Sequence, residues 1–166
     1  MDTLRNLYAH HAWANARVFT TCRAVDRQRL DEQAPGTYGS LAQTLRHLVV
    51  VEDAYIHMLR GDPLDQIESR NEHDLEWFAE RSTQLGQEYL AVLDRADASF
   101  LTAPLNVPWF DFPLTKHDGL LQVLSHSAQH RAQTLSVLGA HGVDVPDLDY
   151  VLYVEEQNAG HSQEKA

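Results

Sequence analysis

The sequence predicts an all-α fold, a four-helix bundle with a longer crossover loop and a C-terminal extension. Three observations carry this. Apolar residues recur at alternating steps of three and four in four separate segments, and proline and glycine gather between those segments. No stretch shows the period-two alternation of a convincing sheet. On this reading residues 1–158 are a single bundle domain and residues 159–166 a frayed tail.

Residues 2 to about 24 place Leu4, Leu7, His11, Ala14, Val18, Cys22 and Val25 on one helical stripe, with Asp2 as its N-cap. His11 lies on that stripe, where a lone histidine is more often a hydrogen-bonded core residue than a ligand. Pro35, Gly36 and Gly39 break the connection over residues 26–39. Ser40 and Gln43 then form a capping box that opens a second helix running to about Arg60. Its stripe is Leu41, Leu45, Leu48, Glu52, Tyr55 and Leu59, with His47 beside it and Gly61 and Pro63 after its end.

Asn71 is the expected cap of a third helix carrying Leu75, Phe78, Ser82, Leu85, Tyr89, Val92 and Ala96, which reads as scaffold. Residues 98–114 contain Pro104, Pro108 and Pro113 and cannot continue a helix. Trp109, Phe110 and Phe112 suggest a loop packed across the bundle mouth, with a short strand pair, or else a satellite cluster that holds the crossover down. Thr115 and Asp118 cap a fourth helix from about Lys116 to His141, stopped by Gly142. Val123, His126, His130, Gln133 and Val137 share one face of it, yet Leu121, Ala128, Leu135 and Gly139 lie opposite. Such a helix should be covered on more than one side, by the C-terminal segment near residues 151–154 or by a second subunit.

Composition excludes several function classes. Over 166 residues, 43% are hydrophobic and 22% charged, with no apolar run that approaches a membrane span. The N-terminus does not resemble a cleaved signal peptide, and the lone Cys22 suits a reducing compartment, so a cytoplasmic protein is expected. With 24 acidic against 13 basic residues and no basic stripe, nucleic-acid binding is disfavoured.

The stretch SHSAQHRAQ, Ser125 to Gln133, puts His126 and His130 one helical turn apart, close enough to share a metal ion. Ten histidines in the chain give about half such a pair by chance, so position matters more than spacing. Both lie on a buried-looking face, where two imidazoles need partners; a metal supplies them, and so would structural hydrogen bonds. There is no HExxH, no Walker-type loop, no GxGxxG opening a helix, no GxSxG elbow and no glutamate followed three residues later by histidine. A mononuclear site of nitrogen ligands remains, suited to zinc or nickel and open to iron, copper or manganese.

Three features together resemble the DinB/YfiT-like family: WAN at Trp13 to Asn15, His47 followed by Glu52 in HLVVVED, and HxxxHRxQ from His126 to Gln133, with Asp149 beyond PDLD. That family is unrelated to the DNA polymerase that shares the DinB name. The likeness spans nearly the whole chain, although residues 61–115 carry almost none of it. Ala132 stands where a glycine is frequent, and His10 where a tyrosine often precedes WAN.

The resemblance implies a four-helix bundle metalloenzyme whose metal ligands are His47, His126 and His130. Three neutral imidazoles would leave an open coordination position, as in catalytic sites. Related proteins include S-transferases and isomerases that use low-molecular-weight bacterial thiols. The implied chemistry is thus a thiol made more acidic by the metal and attacking a small electrophile, with Gln133 or Glu52 orienting the ligands. Arg131 points away from the histidine face and reads as a structural ion pair or cap. A metal-dependent hydrolase, a non-catalytic metal- or ligand-binding stress-response protein and a plain dimeric scaffold stay open as alternatives. The expected partners are a small-molecule substrate and a second copy of the chain.

Overall fold

The computed structural model describes residues 2–163. The chain forms helices α1 (Asp2–Arg23), α2 (Arg27–Asp31), α3 (Leu41–Arg60), α4 (Leu75–Leu93), α5 (Ala98–Thr102), α6 (Lys116–Ala140) and α7 (Tyr150–Gln163), with short 3-10 turns at Leu64–Gln66 and Glu68–Arg70. Strands β1 (Pro104–Leu105) and β2 (Leu114–Thr115) pair antiparallel inside the crossover. The long helices α1, α3, α4 and α6 make the bundle, in ring order: α1 packs on α4, α4 on α3, α3 on α6 and α6 on α1. The all-α, four-helix architecture is as the periodicity predicts.

Local chemistry sets the helix ends. Ser40 accepts from the backbone N–H of Gln43, and the Gln43 side chain accepts from the backbone N–H of Ser40, the reciprocal pairing its spacing foretells. Gly39 makes the approach to that cap with φ +79°, a left-handed backbone that favours glycine, and a Cβ there would push the Gln43 side chain out of the cap. Thr115 and Asp118 close the second capping box, at the start of α6. The cap of α4 is Asp74, whose side chain accepts from Trp77 N, and not Asn71. Residues 68–70 use Asn71 to end a 3-10 turn instead. Asp2 is the first helical residue of α1, where its charge suits the positive end of the helix dipole.

The stripe of α3 is buried as predicted, from Leu41 through Leu59. In α1 the predicted stripe is buried at Leu4, His11, Ala14, Val18 and Cys22 but not at Leu7. Leu7 is 39% exposed while Tyr8 is fully buried, because the Tyr8 hydroxyl donates to Leu120 O at 2.9 Å and its ring stacks on Tyr89. In α4 the stripe drifts from Val92 to Leu93. Gly86 of α4 lies against Ala12 of α1, where a Cβ would come within 2.8 Å of the Ala12 Cβ.

The second covering expected over α6 is not provided by the C-terminal segment. Helix α7 packs on α1, held where Trp13 Nε1 donates to Glu156 Oε2 at 2.9 Å and Arg17 pairs with the same carboxylate. Leu121 and Ala128 therefore stay exposed. Helix α7 runs through the stretch expected to fray as far as Gln163; residues 164–166 lie outside the described residues.

Candidate metal centre

His47 projects from α3, and His126 and His130 from α6, across the seam where these two helices pack. Their ring nitrogens converge. His126 Nε2 lies 3.2 Å from His47 Nε2 and 3.1 Å from His130 Nε2, and the candidate ligand atoms all lie within 4.8 Å of one another. No carboxylate belongs to the group. At zinc–nitrogen distances of 2.0–2.1 Å, two ligands of a tetrahedral ion stand about 3.3 Å apart. The spacing of these nitrogens is that of a coordination edge.

The surroundings act on each ring. The His130 Nδ1–H donates to Gln133 Oε1 at 2.8 Å, which leaves the lone pair on Nε2, facing the cluster. Tyr38 covers His47, ring centroids 3.9 Å apart and planes 10° apart. Tyr38 is itself fixed, since its backbone N–H donates to Thr44 Oγ1 at 3.0 Å, one turn into α3. Burial pushes His126 down to about 4, with the neighbouring His130 and His47 adding to the shift and Glu52 opposing it. Burial and then His130 lower His47 likewise. Both shifts favour the neutral imidazole of His126 and His47, the form that binds metal.

The residues therefore fit a divalent ion. A cation among the three Nε2 atoms would take the His130 lone pair that Gln133 turns toward the cluster, together with one from each of the other two rings. The buried Nδ1 of His126 has no hydrogen-bond partner among the described residues. An all-imidazole donor set suits zinc, nickel, copper or iron. Beside His47 lies a cavity of about 400 Å³, walled by Tyr38, Gln43, Arg46, Val50 and Arg70.

Glu52 and Arg131 belong to a second cluster, deeper in the bundle. Glu52 is 1% exposed and accepts from Ser127 Oγ at 2.7 Å, Asn15 Nδ2 at 3.0 Å and His11 Nε2 at 3.1 Å. Arg131 Nη1 donates to Asn15 Oδ1 at 2.7 Å and to His11 Nδ1 at 3.1 Å. Burial alone would raise the Glu52 carboxyl, but His11 and the hydrogen bonds from His11, Ser127 and Asn15 outweigh it and hold it below its ordinary value. Asn15 also donates to Ser82 Oγ at 3.2 Å, so the cluster draws on all four bundle helices. His11 is accordingly a hydrogen-bonded core residue, and the WAN motif divides its labour: Trp13 holds α7 while Asn15 ties the core.

Of the residues singled out from sequence, the structure brings together His47, His126, His130 and Gln133. Glu52 makes no hydrogen bond to the three imidazoles; it anchors Ser127, the neighbour of His126, and so acts on the helix rather than on a ligand. Tyr38 was missed. It stands in a connection broken by Pro35, Gly36 and Gly39, and only its place two residues before a capping box hinted that it would sit over the first turns of α3.

The sequence matches the DinB family profile over residues 1–165. The chain belongs to the DinB family. A crystal structure of a DinB family member from Shewanella denitrificans is similar to it, with a TM-score of 0.61, 17% identity and coverage of 90% of this chain and 92% of that one. At that identity the likeness is one of fold. No curated protein gives a significant match. In this DinB chain no described helix is long and apolar enough to cross a membrane.

Proposed function

We propose that this DinB family protein is a mononuclear metal-dependent enzyme, with His47, His126 and His130 as ligands, that joins a low-molecular-weight thiol to a small electrophile. The reading rests above all on the meeting of three imidazole Nε2 atoms from two helices with no carboxylate among them. A zinc- or nickel-type ion bound there supplies a Lewis acid that makes a thiol more acidic near neutral pH. The protein's own side chains do the positioning. Gln133 keeps His130 in its ligand tautomer, Tyr38 holds the plane of His47, and the cavity beside His47 gives room for a small molecule. Arg46 and Arg70 on its wall suit a substrate or thiol that carries a carboxylate. In the reaction the thiol proton passes to solvent, sulfur bonds to the electrophilic carbon, and the leaving group departs with its electron pair.

The proposed location is the cytoplasm, supported by the single unpaired Cys22. A homodimer is the proposed assembly, supported by Val151 and Val154, which stand exposed on α7.

The test is turnover of 1-chloro-2,4-dinitrobenzene by metal-loaded protein with N-acetylcysteine present or absent, beside hydrolysis of p-nitrophenyl acetate. Thiol-dependent turnover that is lost on chelation supports the proposal. Ester hydrolysis without thiol would replace it with a metal-dependent hydrolase. A fully loaded but inert protein would make it a metal-binding protein of the stress-response kind.

A further inference from the structure

A second and larger cavity, of about 740 Å³, lies on the other side of α6 from the histidine cluster. It is a groove between α1, α6 and the crossover, walled by Leu7, Phe110, Phe112 and Leu121, all of them exposed apolar side chains. Along α6 its lining runs from Asp118 to Arg131, roughly 20 Å at the helical rise. The two ends differ. Asp118 is an acid at the mouth by the crossover, and Arg131 is a cation at the far end, only 6% exposed.

Arg131 is the unusual member. Its guanidinium is bonded through Nη1 to Asn15 Oδ1 and His11 Nδ1, and it forms no ion pair among the described residues. Glu52, the nearest carboxylate to act on it, is already engaged by His11, Asn15 and Ser127. A buried cation without a direct counter-charge is costly, and a guanidinium offers five N–H donors, of which Nη1 supplies at most two. An apolar groove of this volume with one fixed charge at its end has the anatomy of a ligand site.

We infer that this groove binds a free, single-chain amphipathic carboxylate, with its tail along Leu7, Phe112 and Leu121 and its head on Arg131. The polarity follows from the ends, since Asp118 repels the head that Arg131 attracts. The site does not depend on the histidine cluster, and its failure and that of the proposed enzyme function are separate outcomes.

Calorimetric titration of the full chain with decanoate, decanol and decyltrimethylammonium tests it. Decanoate should bind one to one, about tenfold or more tighter than decanol, with no measurable binding of the cation. Binding should persist in His126→Ala and in the presence of a chelator, which separates it from a carboxylate landing on a metal. Phe112→Asp and Leu121→Asp, at exposed positions that leave the fold intact, should each weaken decanoate about tenfold or more. Arg131→Met should equalise decanoate and decanol where it folds, and the two aspartate variants decide the matter where it does not. Equal affinity for the acid and the alcohol, loss of binding in His126→Ala, or a dimer in sedimentation that Leu121→Asp dissociates and that excludes decanoate would each overturn the inference.

Discussion

The ring of Tyr38 lies flat on the ring of His47, 3.9 Å between centroids and 10° between planes. Tyr38 is 57% exposed, so its ring contributes little to the core and acts chiefly on that imidazole. Tyr38→Ala should therefore weaken metal affinity about tenfold by freeing the His47 ring, with little change in melting temperature. Competition against a chromophoric chelator measures the first quantity and circular dichroism the second. An unchanged affinity would show that the stack does not orient the ligand.

Gln133 holds the Nδ1–H of His130 at 2.8 Å. Gln133→Leu removes the acceptor and should lower metal affinity about 10- to 100-fold while stoichiometry at saturating metal is retained. Gln133→Glu, which keeps an acceptor, should hold or raise the affinity. The same chelator competition reads both variants.

Glu52 carries the pH dependence of the bundle core. Its folded pKa lies below the ordinary 4.5, so the unfolded chain takes up the proton first as pH falls. The stabilisation it provides is fully present above about pH 4.5 and is lost as pH drops through the lower folded value. Glu52→Gln should cost about 3 kcal/mol at neutral pH, since it leaves Arg131 buried with less compensation, and should flatten the acid limb of stability against pH. Urea denaturation at a series of pH values gives both results.

Gly86 sets how closely α1 and α4 approach. An added Cβ would meet the Ala12 Cβ at 2.8 Å, and neither atom can swing away. Gly86→Ala should destabilise by about 2 kcal/mol despite its better helix propensity, and Ala12→Gly in the same chain should recover part of that loss. Thermal melts of the single and double variants check it.

The bundle was legible because its helix stripes and capping pairs are local chemistry. Ser40 with Gln43 and Thr115 with Asp118 form the caps their spacing foretells, and the α3 stripe is buried throughout. The ring order of helices was not legible, since it depends on which stripes meet. Periodicity placed Leu7 in the core and overlooked Tyr8, because a phenol that reaches a carbonyl on another helix can be buried in its place. Asn71 and Asp74 are both good caps in sequence, and only the 3-10 turn at Glu68–Arg70 decides between them.

The candidate centre divides the same way. His126 and His130 could be paired from spacing, whereas His47 entered through family resemblance and Tyr38 through neither. The apolar residues on the opposite face of α6 predict a cover. In the structure α7 turns to α1 through Glu156, Trp13 and Arg17, and that face is left as the wall of an open groove. A contact 139 residues apart, such as that of Arg17 with Glu156, leaves no periodic trace.

His47, His126 and His130 are proposed to hold one ion between them. Elemental analysis of untagged protein purified without added metal, beside His47→Ala, His126→Ala and His130→Ala, tests it most directly. The parent should carry roughly one divalent ion per chain, with a marked loss in each variant and the helical circular dichroism signal retained. A parent without metal, or variants that keep the parent's content, would contradict it.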